Sequence, residues 1–198
     1  SIITHPADQI VNVFQAATFS VASNGTAPLT YQWFKNGAIL TDATNASYTT
    51  PPTVLADNGA LFNVIVTNIY GKATSNNATL SVTKIDQTIV FAALNSVQYG
   101  VVPLVLSATG GASGNPITFD ITSGPGSITG NTLTVTGVGT ISIQASQAGN
   151  GIYNAAQTSQ SLSVTPATLT VTADDKTKIY GSSNPPLTAT YGGFVNGD

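Results

Sequence analysis

The chain has 198 residues, its only charged side chains are five Lys and eight Asp, and its net charge is -3, with no Cys, Met, Arg or Glu. Five scattered cations do not form the basic footprint that supplies most nucleic-acid affinity, and the lack of thiols excludes a disulfide framework and a cysteine nucleophile. No run of about 18 apolar residues occurs, so no membrane insertion is expected. The opening Ser1-Ile2-Ile3-Thr4-His5-Pro6 reads as neither signal nor anchor.

Apolar and β-branched residues alternate and are interrupted about every 8 to 12 residues by Gly, Asn, Asp or Pro, which predicts an all-β chain. In chain order, the first unit (residues 1–84) should hold strands at Ile10–Val13, Ala17–Ala22, Thr30–Lys35, Ser47–Thr50, Ala60–Thr67 and Ala78–Val82. Asn36-Gly37 is a hairpin turn, and Pro51-Pro52 ends an edge segment. Period-two alternation puts Phe19 with Val21, Tyr31 with Trp33, and Phe62 with Val64 and Val66 on inward faces. The second unit (85–165) should hold strands at Thr88–Phe91, Leu104–Ala108, Ile117–Thr122, Thr132–Thr136, Thr140–Ser146 and Ser161–Val164, with turns at Gly110-Gly111 and Gly124-Pro125-Gly126. A third segment (166–198) offers strands at Leu169–Thr172 and Leu187–Tyr191 but is too short to bury a core of its own, and these strands are expected as unpaired edges. Thr83-Lys84-Ile85-Asp86 and Thr165-Pro166-Ala167 are too short to act as flexible tethers, so neighbouring units are expected to hold a preferred angle.

Three regions of the chain carry a family likeness. Pro28-Leu29-Thr30-Tyr31-Gln32-Trp33-Phe34-Lys35-Asn36-Gly37, Leu55-Ala56-Asp57-Asn58-Gly59-Ala60-Leu61-Phe62 and Val66-Thr67-Asn68-Ile69-Tyr70-Gly71 resemble a bacterial immunoglobulin-like domain of the I-set kind. The resemblance implies a two-sheet sandwich with Trp33 in its core, Val21 and Val64 where paired cysteines would join the sheets, and Phe62 at the tyrosine-corner position. Removing such a disulfide costs a small domain about 2–5 kcal/mol, so apolar packing around Val21 and Val64 should compensate. The stretches 123–137 and 147–156 resemble tandem bacterial immunoglobulin-like repeats. Leu169–Lys176, Tyr180-Gly181 and Thr188–Asp198 resemble the opening half of the bacterial surface repeat called MBG.

Candidate chemistry is sparse. His5 is the sole histidine and lies beside Pro6 near the chain start, where no triad could be assembled around it. Asp8, Asp42, Asp57, Asp86 and Asp198 fall in turn or linker contexts, with Asp57 expected to cap the corner turn. Asp120 and Asp174-Asp175 read as solvated rather than as a glycosidase pair. Zinc is excluded by ligand count, and no Asp-x-Asp-x-Asp-Gly pattern supports calcium at Asp174-Asp175 or Asp42–Asn45. Sequons at Asn24-Gly25-Thr26, Asn45-Ala46-Ser47 and Asn77-Ala78-Thr79 are background in so Asn-rich a chain, and the five Lys lie in flanking or turn contexts unsuited to an internal Lys–Asn crosslink.

The expectation is therefore a non-catalytic structural or adhesive module of a bacterial extracellular or cell-surface protein, a stalk, spacer or fibre subunit that needs no cofactor. Its partners would be neighbouring repeats, a second copy joined through the C-terminal segment, or a surface glycan. The rival is a carbohydrate-binding accessory region of a secreted polysaccharide-degrading enzyme, with Tyr48, Tyr70, Tyr99, Tyr153, Tyr180 and Tyr191 as the available ring platforms.

Overall fold

The computed structural model describes residues 1–196. The chain divides into two compact units, one formed by Ser1–Gln87 with Gly149–Asn154 and the other by Thr88–Ala148 with Ala155 onward.

Unit 1 contains β1 (Ile2–Thr4), β2 (Gln9–Asn12), β3 (Thr18–Ser20), β4 (Ala22–Ser23), β5 (Thr30–Lys35), β6 (Ala38–Ile39), β7 (Ser47–Thr49), β8 (Ala60–Asn68), β9 (Gly71–Thr74) and β10 (Ala78–Thr83). One sheet runs β2-β10-β8-β5-β6, with β9 also paired to β8, while β3 pairs with β7 and β1 with β4. β2 joins β10 in parallel, and the other pairings are antiparallel. Alternation along β8 buries Ala60, Phe62, Val64 and Val66. Asn36 and Gly37 both adopt positive φ, +50° and +80°, as a two-residue primed hairpin turn between β5 and β6 requires.

The sheets are joined by an aromatic stack. Phe19 of β3 lies 4.5 Å from Phe62 of β8 and 6.4 Å from Trp33 of β5, and Tyr48 of β7 lies 6.3 Å from Trp33 and 6.0 Å from Phe62. Val21 and Val64 are buried as expected, but the large rings beside them fill the space between the layers. Trp33 donates its indole N–H to the Asn45 carbonyl at 2.9 Å, so the one polar atom of the buried ring is satisfied.

Ser75 explains why β9 and β10 are separate. Its N–H donates to the Val64 carbonyl at 2.9 Å, while its hydroxyl accepts the Val64 N–H at 3.0 Å and donates to the Asn76 carbonyl. A side chain thus replaces one rung of the ladder, and no polar backbone group of Val64 is stranded in the core. Gly149–Asn154 belongs to this unit through Ile85 N–H to Ile152 O, 2.8 Å, and Asn154 N–H to Ile85 O, 2.9 Å.

Unit 2 contains β11 (Val97–Gln98), β12 (Leu104–Val105), β13 (Ile117–Ser123), β14 (Gly126–Thr129), β15 (Thr132–Val135), β16 (Gly139–Gln147), β17 (Ala156–Thr165), β18 (Thr170–Ala173) and β19 (Ala189–Gly192). Its sheets are β11-β17-β16-β13, β12-β15-β14 and the pair β18-β19. Leu133, Ile141, Ile143, Ala145 and Leu162 are at the centre of the core, and Phe91 meets Phe119 edge-on at 5.4 Å. Gln147 is buried, with Oε1 accepting the Gly111 N–H and Nε2 donating to the Asn115 carbonyl, both at 2.7 Å. A methyl group on Gly110 would stand 2.7 Å from that amide nitrogen, so the glycine makes room for the polar side chain that pins its loop.

Four expectations are corrected. Thr88–Phe91 forms no strand but a single bridge, Val90 to Thr109, although Ile89 and Phe91 point into the core. The strand expected at Leu104–Ala108 is confined to Leu104–Val105. Gly126 begins β14 rather than closing a turn, because its run to Thr129 pairs with β15. The strands at Leu169–Thr172 and Leu187–Tyr191 are not unpaired: β18 and β19 bond to each other, with Val171 opposite Tyr191. Asp198, expected in a turn, lies outside the described residues.

Candidate functional site

The titratable groups singled out in the sequence sit at local structural posts. His5 accepts the Asn76 N–H through Nδ1 at 3.0 Å, and Asp8 accepts the Thr79 N–H at 2.6 Å. Asp86 accepts from the Asn154 side-chain amide at 2.8 Å. Asp42 occupies a positive-φ turn position, φ +64°, and the Asn45 carbonyl close by is the acceptor for Trp33. Asp120 is exposed on β13, the outer strand of its sheet. A charge there discourages the pairing of that edge with another chain.

Asp57 caps its corner from both oxygens. Oδ2 accepts the Val54 N–H at 2.9 Å across the short 3₁₀ turn Leu55–Asp57, and Oδ1 receives the Lys35 ammonium at 2.5 Å. The bond from Lys35, reinforced by the Val54 N–H, holds the carboxyl below its ordinary 3.8. A lowered folded-state pKa contributes stability above the unfolded value, and that contribution is lost as pH falls through the lower folded one. Acid unfolding of unit 1 should therefore show an Asp57-dependent loss beginning below about pH 4. Asp57→Ala should remove it and cost about 1 kcal/mol at neutral pH, the ion pair being partly solvated. Equal acid midpoints for the two proteins would contradict this role.

Asp174, on the turn between β18 and β19, accepts hydroxyl bonds from Thr188 on Oδ2 and from Thr190 on Oδ1, the latter at 2.8 Å. These bonds, Thr188 first, lower its pKa. Both carboxylate oxygens of Asp174 are thus engaged by this chain's own threonines. Among the described residues no group of three or more His, Cys, Asp or Glu is arranged to hold a metal.

The tyrosines separate by burial. Tyr48 belongs to the aromatic stack of unit 1, and Tyr99 packs on the core of unit 2, so both are half-buried. Tyr70, 78% exposed, stands at the β8–β9 turn beside a shallow groove of about 280 Å³ whose lining includes Asn24, Leu29, Asn68 and Lys72. Tyr180 is fully exposed in the β18–β19 connection, and Tyr191 is exposed on β19. One face of that hairpin is apolar: Val171 and Tyr191 are 60% and 58% exposed, with Leu169 and Phe194 also open to solvent. The opposite face carries Thr170, Thr172 and Thr190. None of the described residues from Pro166 onward is buried, so the hairpin buries no core of its own among them. The sequence pointed to it through the short length of segment 166–198.

Residues 169–198 match the family described as MBG domain (YGX type). The chain is 37% identical over 75 residues to the decoration protein of Escherichia phage T5, a match covering 37% of this chain and 44% of that protein, so the chain spans less than half the length of this curated relative. The solved titin domains Z1Z2 in complex with telethonin align over 85% of this chain and 97% of theirs, at 23% identity and a TM-score of 0.51. Sidekick-1 immunoglobulin domains 1–5 align over 96% of this chain and 45% of theirs, at 19% identity and a TM-score of 0.40. The fold is all-β and immunoglobulin-like.

Proposed function

We propose that this chain is a non-catalytic structural module, a stalk, spacer or fibre subunit carried on the exterior of a bacterial cell or phage particle. The observation carrying this reading is that tandem immunoglobulin-like sandwiches present hydroxyl-rich, weakly charged surfaces on which Asp8, Asp57, Asp86 and His5 are engaged in capping and loop anchoring. The partial likeness to a phage decoration protein favours display on an outer surface. Resistance of such a module to unfolding comes from sheet pairing and core packing rather than from a covalent link between sheets.

Assembly is assigned to the C-terminal hairpin, with a second copy of the same hairpin as its occupant. The outer strand β13 bears Asp120, whereas β18 and β19 carry no charge along their lengths, so their edges and apolar face lack the usual protection against pairing. Light scattering of the full chain over a wide concentration range should show reversible self-association, and Val171→Lys with Tyr191→Lys should abolish it. A strict monomer at every concentration, or a dimer indifferent to both lysines, would remove the hairpin from the assembly role. The carbohydrate-binding alternative rests on the exposed rings of Tyr70 and Tyr180, and retention on insoluble polysaccharides that is lost with Tyr70→Ala would favour it.

A further inference from the structure

Five Asn-Gly dipeptides occur in this chain, at Asn24, Asn36, Asn58, Asn150 and Asn196. Such pairs are chemically labile because glycine leaves its own amide nitrogen open to approach the preceding side chain. The fold treats them very differently. Asn36 Oδ1 accepts the Leu61 N–H at 2.8 Å within a two-residue hairpin turn. Asn58 Oδ1 accepts the Val82 N–H at 2.9 Å, and the nitrogen that would attack it, that of Gly59, donates to the Leu80 carbonyl at 2.8 Å. Asn150 Oδ1 accepts the N–H groups of Ile152 and Tyr153, at 2.8 and 2.9 Å. Gly197, which follows Asn196, lies outside the described residues.

Asn24 differs from those three. Its backbone N–H is tied to the Ser1 carbonyl, but among the described residues its side-chain amide has no hydrogen-bond partner and the Gly25 nitrogen donates no bond. Both residues are exposed, in the irregular loop between β4 and β5. The Asn24 carbonyl accepts the Ser1 ammonium at 2.7 Å and the Asn68 side chain donates to the Thr26 carbonyl at 3.1 Å, so the loop is held through its backbone while the Asn24 side chain and the Gly25 nitrogen stay unbonded and open to water.

We propose that Asn24 is the site at which the folded protein undergoes spontaneous, solvent-driven deamidation, converting an uncharged loop into an anionic one. Hydroxide removes the Gly25 amide proton, the nitrogen attacks Asn24 Cγ, and the Cγ–Nδ2 bond breaks as ammonia leaves with a proton from water. Water then opens the cyclic imide at either carbonyl, leaving aspartate or isoaspartate at position 24. No electron is transferred and no partner other than water is needed. The new carboxylate adds one negative charge to a net charge of -3, in the groove whose lining also includes Lys72. The isoaspartate form inserts an extra backbone carbon between residues 24 and 25 of the loop.

The test is peptide mapping by mass spectrometry after ageing the full chain at mildly alkaline pH, folded and in denaturant. In the folded protein Asn24 should convert at least about tenfold faster than Asn36, Asn58 or Asn150, whose reaction requires local opening. In denaturant the four rates should converge, and Gly25→Ala should slow conversion at Asn24 in both conditions. Comparable folded-state rates at the four positions, an intact Asn24, or a ranking unaffected by denaturant would each overturn the proposal.

Discussion

Replacing Trp33 with alanine is expected to lower the stability of unit 1 by about 3–5 kcal/mol, the largest effect of any side-chain truncation in that unit. Trp33 is fully buried, touches the Phe19 and Tyr48 rings, and supplies the hydrogen bond to the Asn45 carbonyl. Truncation leaves a cavity at the junction of the two layers and a carbonyl without its donor. The measurement is urea unfolding followed by far-ultraviolet circular dichroism, since the variant has no tryptophan to report fluorescence. Trp33→Phe keeps a ring in the stack and loses only the indole N–H and some volume, so it should cost less than half as much. A Trp33→Ala cost under about 1 kcal/mol would mean that the stack, and with it the explanation for a sandwich without a disulfide, is misassigned.

The aromatic stack also marks how far the sequence could be read. Alternation placed Phe19, Trp33 and Phe62 on inward faces, because side-chain period two is dictated by the backbone and needs no tertiary information. What alternation could not reveal was which inward residues meet across the layers. Attention fell on Val21 and Val64 because they occupy positions where a disulfide would lie, yet Phe19 and Phe62 make the ring contact at 4.5 Å. The tyrosine-corner position illustrates the same exchange: Phe62 has no hydroxyl to give the backbone, but its ring stacks on those of Phe19 and Tyr48. The short strands β1, β6 and β9 escaped notice because two to four residues carry too little periodicity to rise above their turn-rich flanks.

In unit 2 the errors come from segments whose burial exceeds their pairing. Ile89 and Phe91 are buried while Thr88–Phe91 makes only a bridge, so an apolar alternating run was mistaken for a ladder strand. Near Gly124-Pro125-Gly126 the opposite occurred, and turn-forming residues concealed the start of β14. Of the candidate site, the capping role of Asp57 was legible, since Asp at a corner turn has few other uses. The loop-end placement of Asn24 beside the groove that includes Tyr70 and Lys72 was not, because β5, β8 and β9 are brought together by sheet pairing and the β4–β5 loop reaches them only through tertiary contact.

Gly124→Ala should be severely damaging to unit 2, costing about 3 kcal/mol or more. Gly124 has φ +99°, a conformation that L side chains rarely adopt, and a methyl group there would lie 2.2 Å from the Thr140 carbonyl oxygen and 2.7 Å from the Ile141 Cα. Neither atom can withdraw easily, because Thr140 and Ile141 lie in β16 opposite Ser163 and Leu162 of β17, and from Ser142 onward the other side of the strand is paired to β13. The turn cannot withdraw either: Thr136 N–H is bonded to the Pro125 carbonyl at 3.0 Å, and Gly126 runs on into the β14–β15 pair. Gly130→Ala isolates the backbone contribution, since that glycine also has positive φ, +62°, but a methyl group would meet nothing within 4 Å. It should cost only about 1 kcal/mol. Denaturant midpoints of the two variants compared with the parent separate the terms, and equal losses would show that backbone conformation alone, not the close approach of the turn to β16, fixes glycine at position 124.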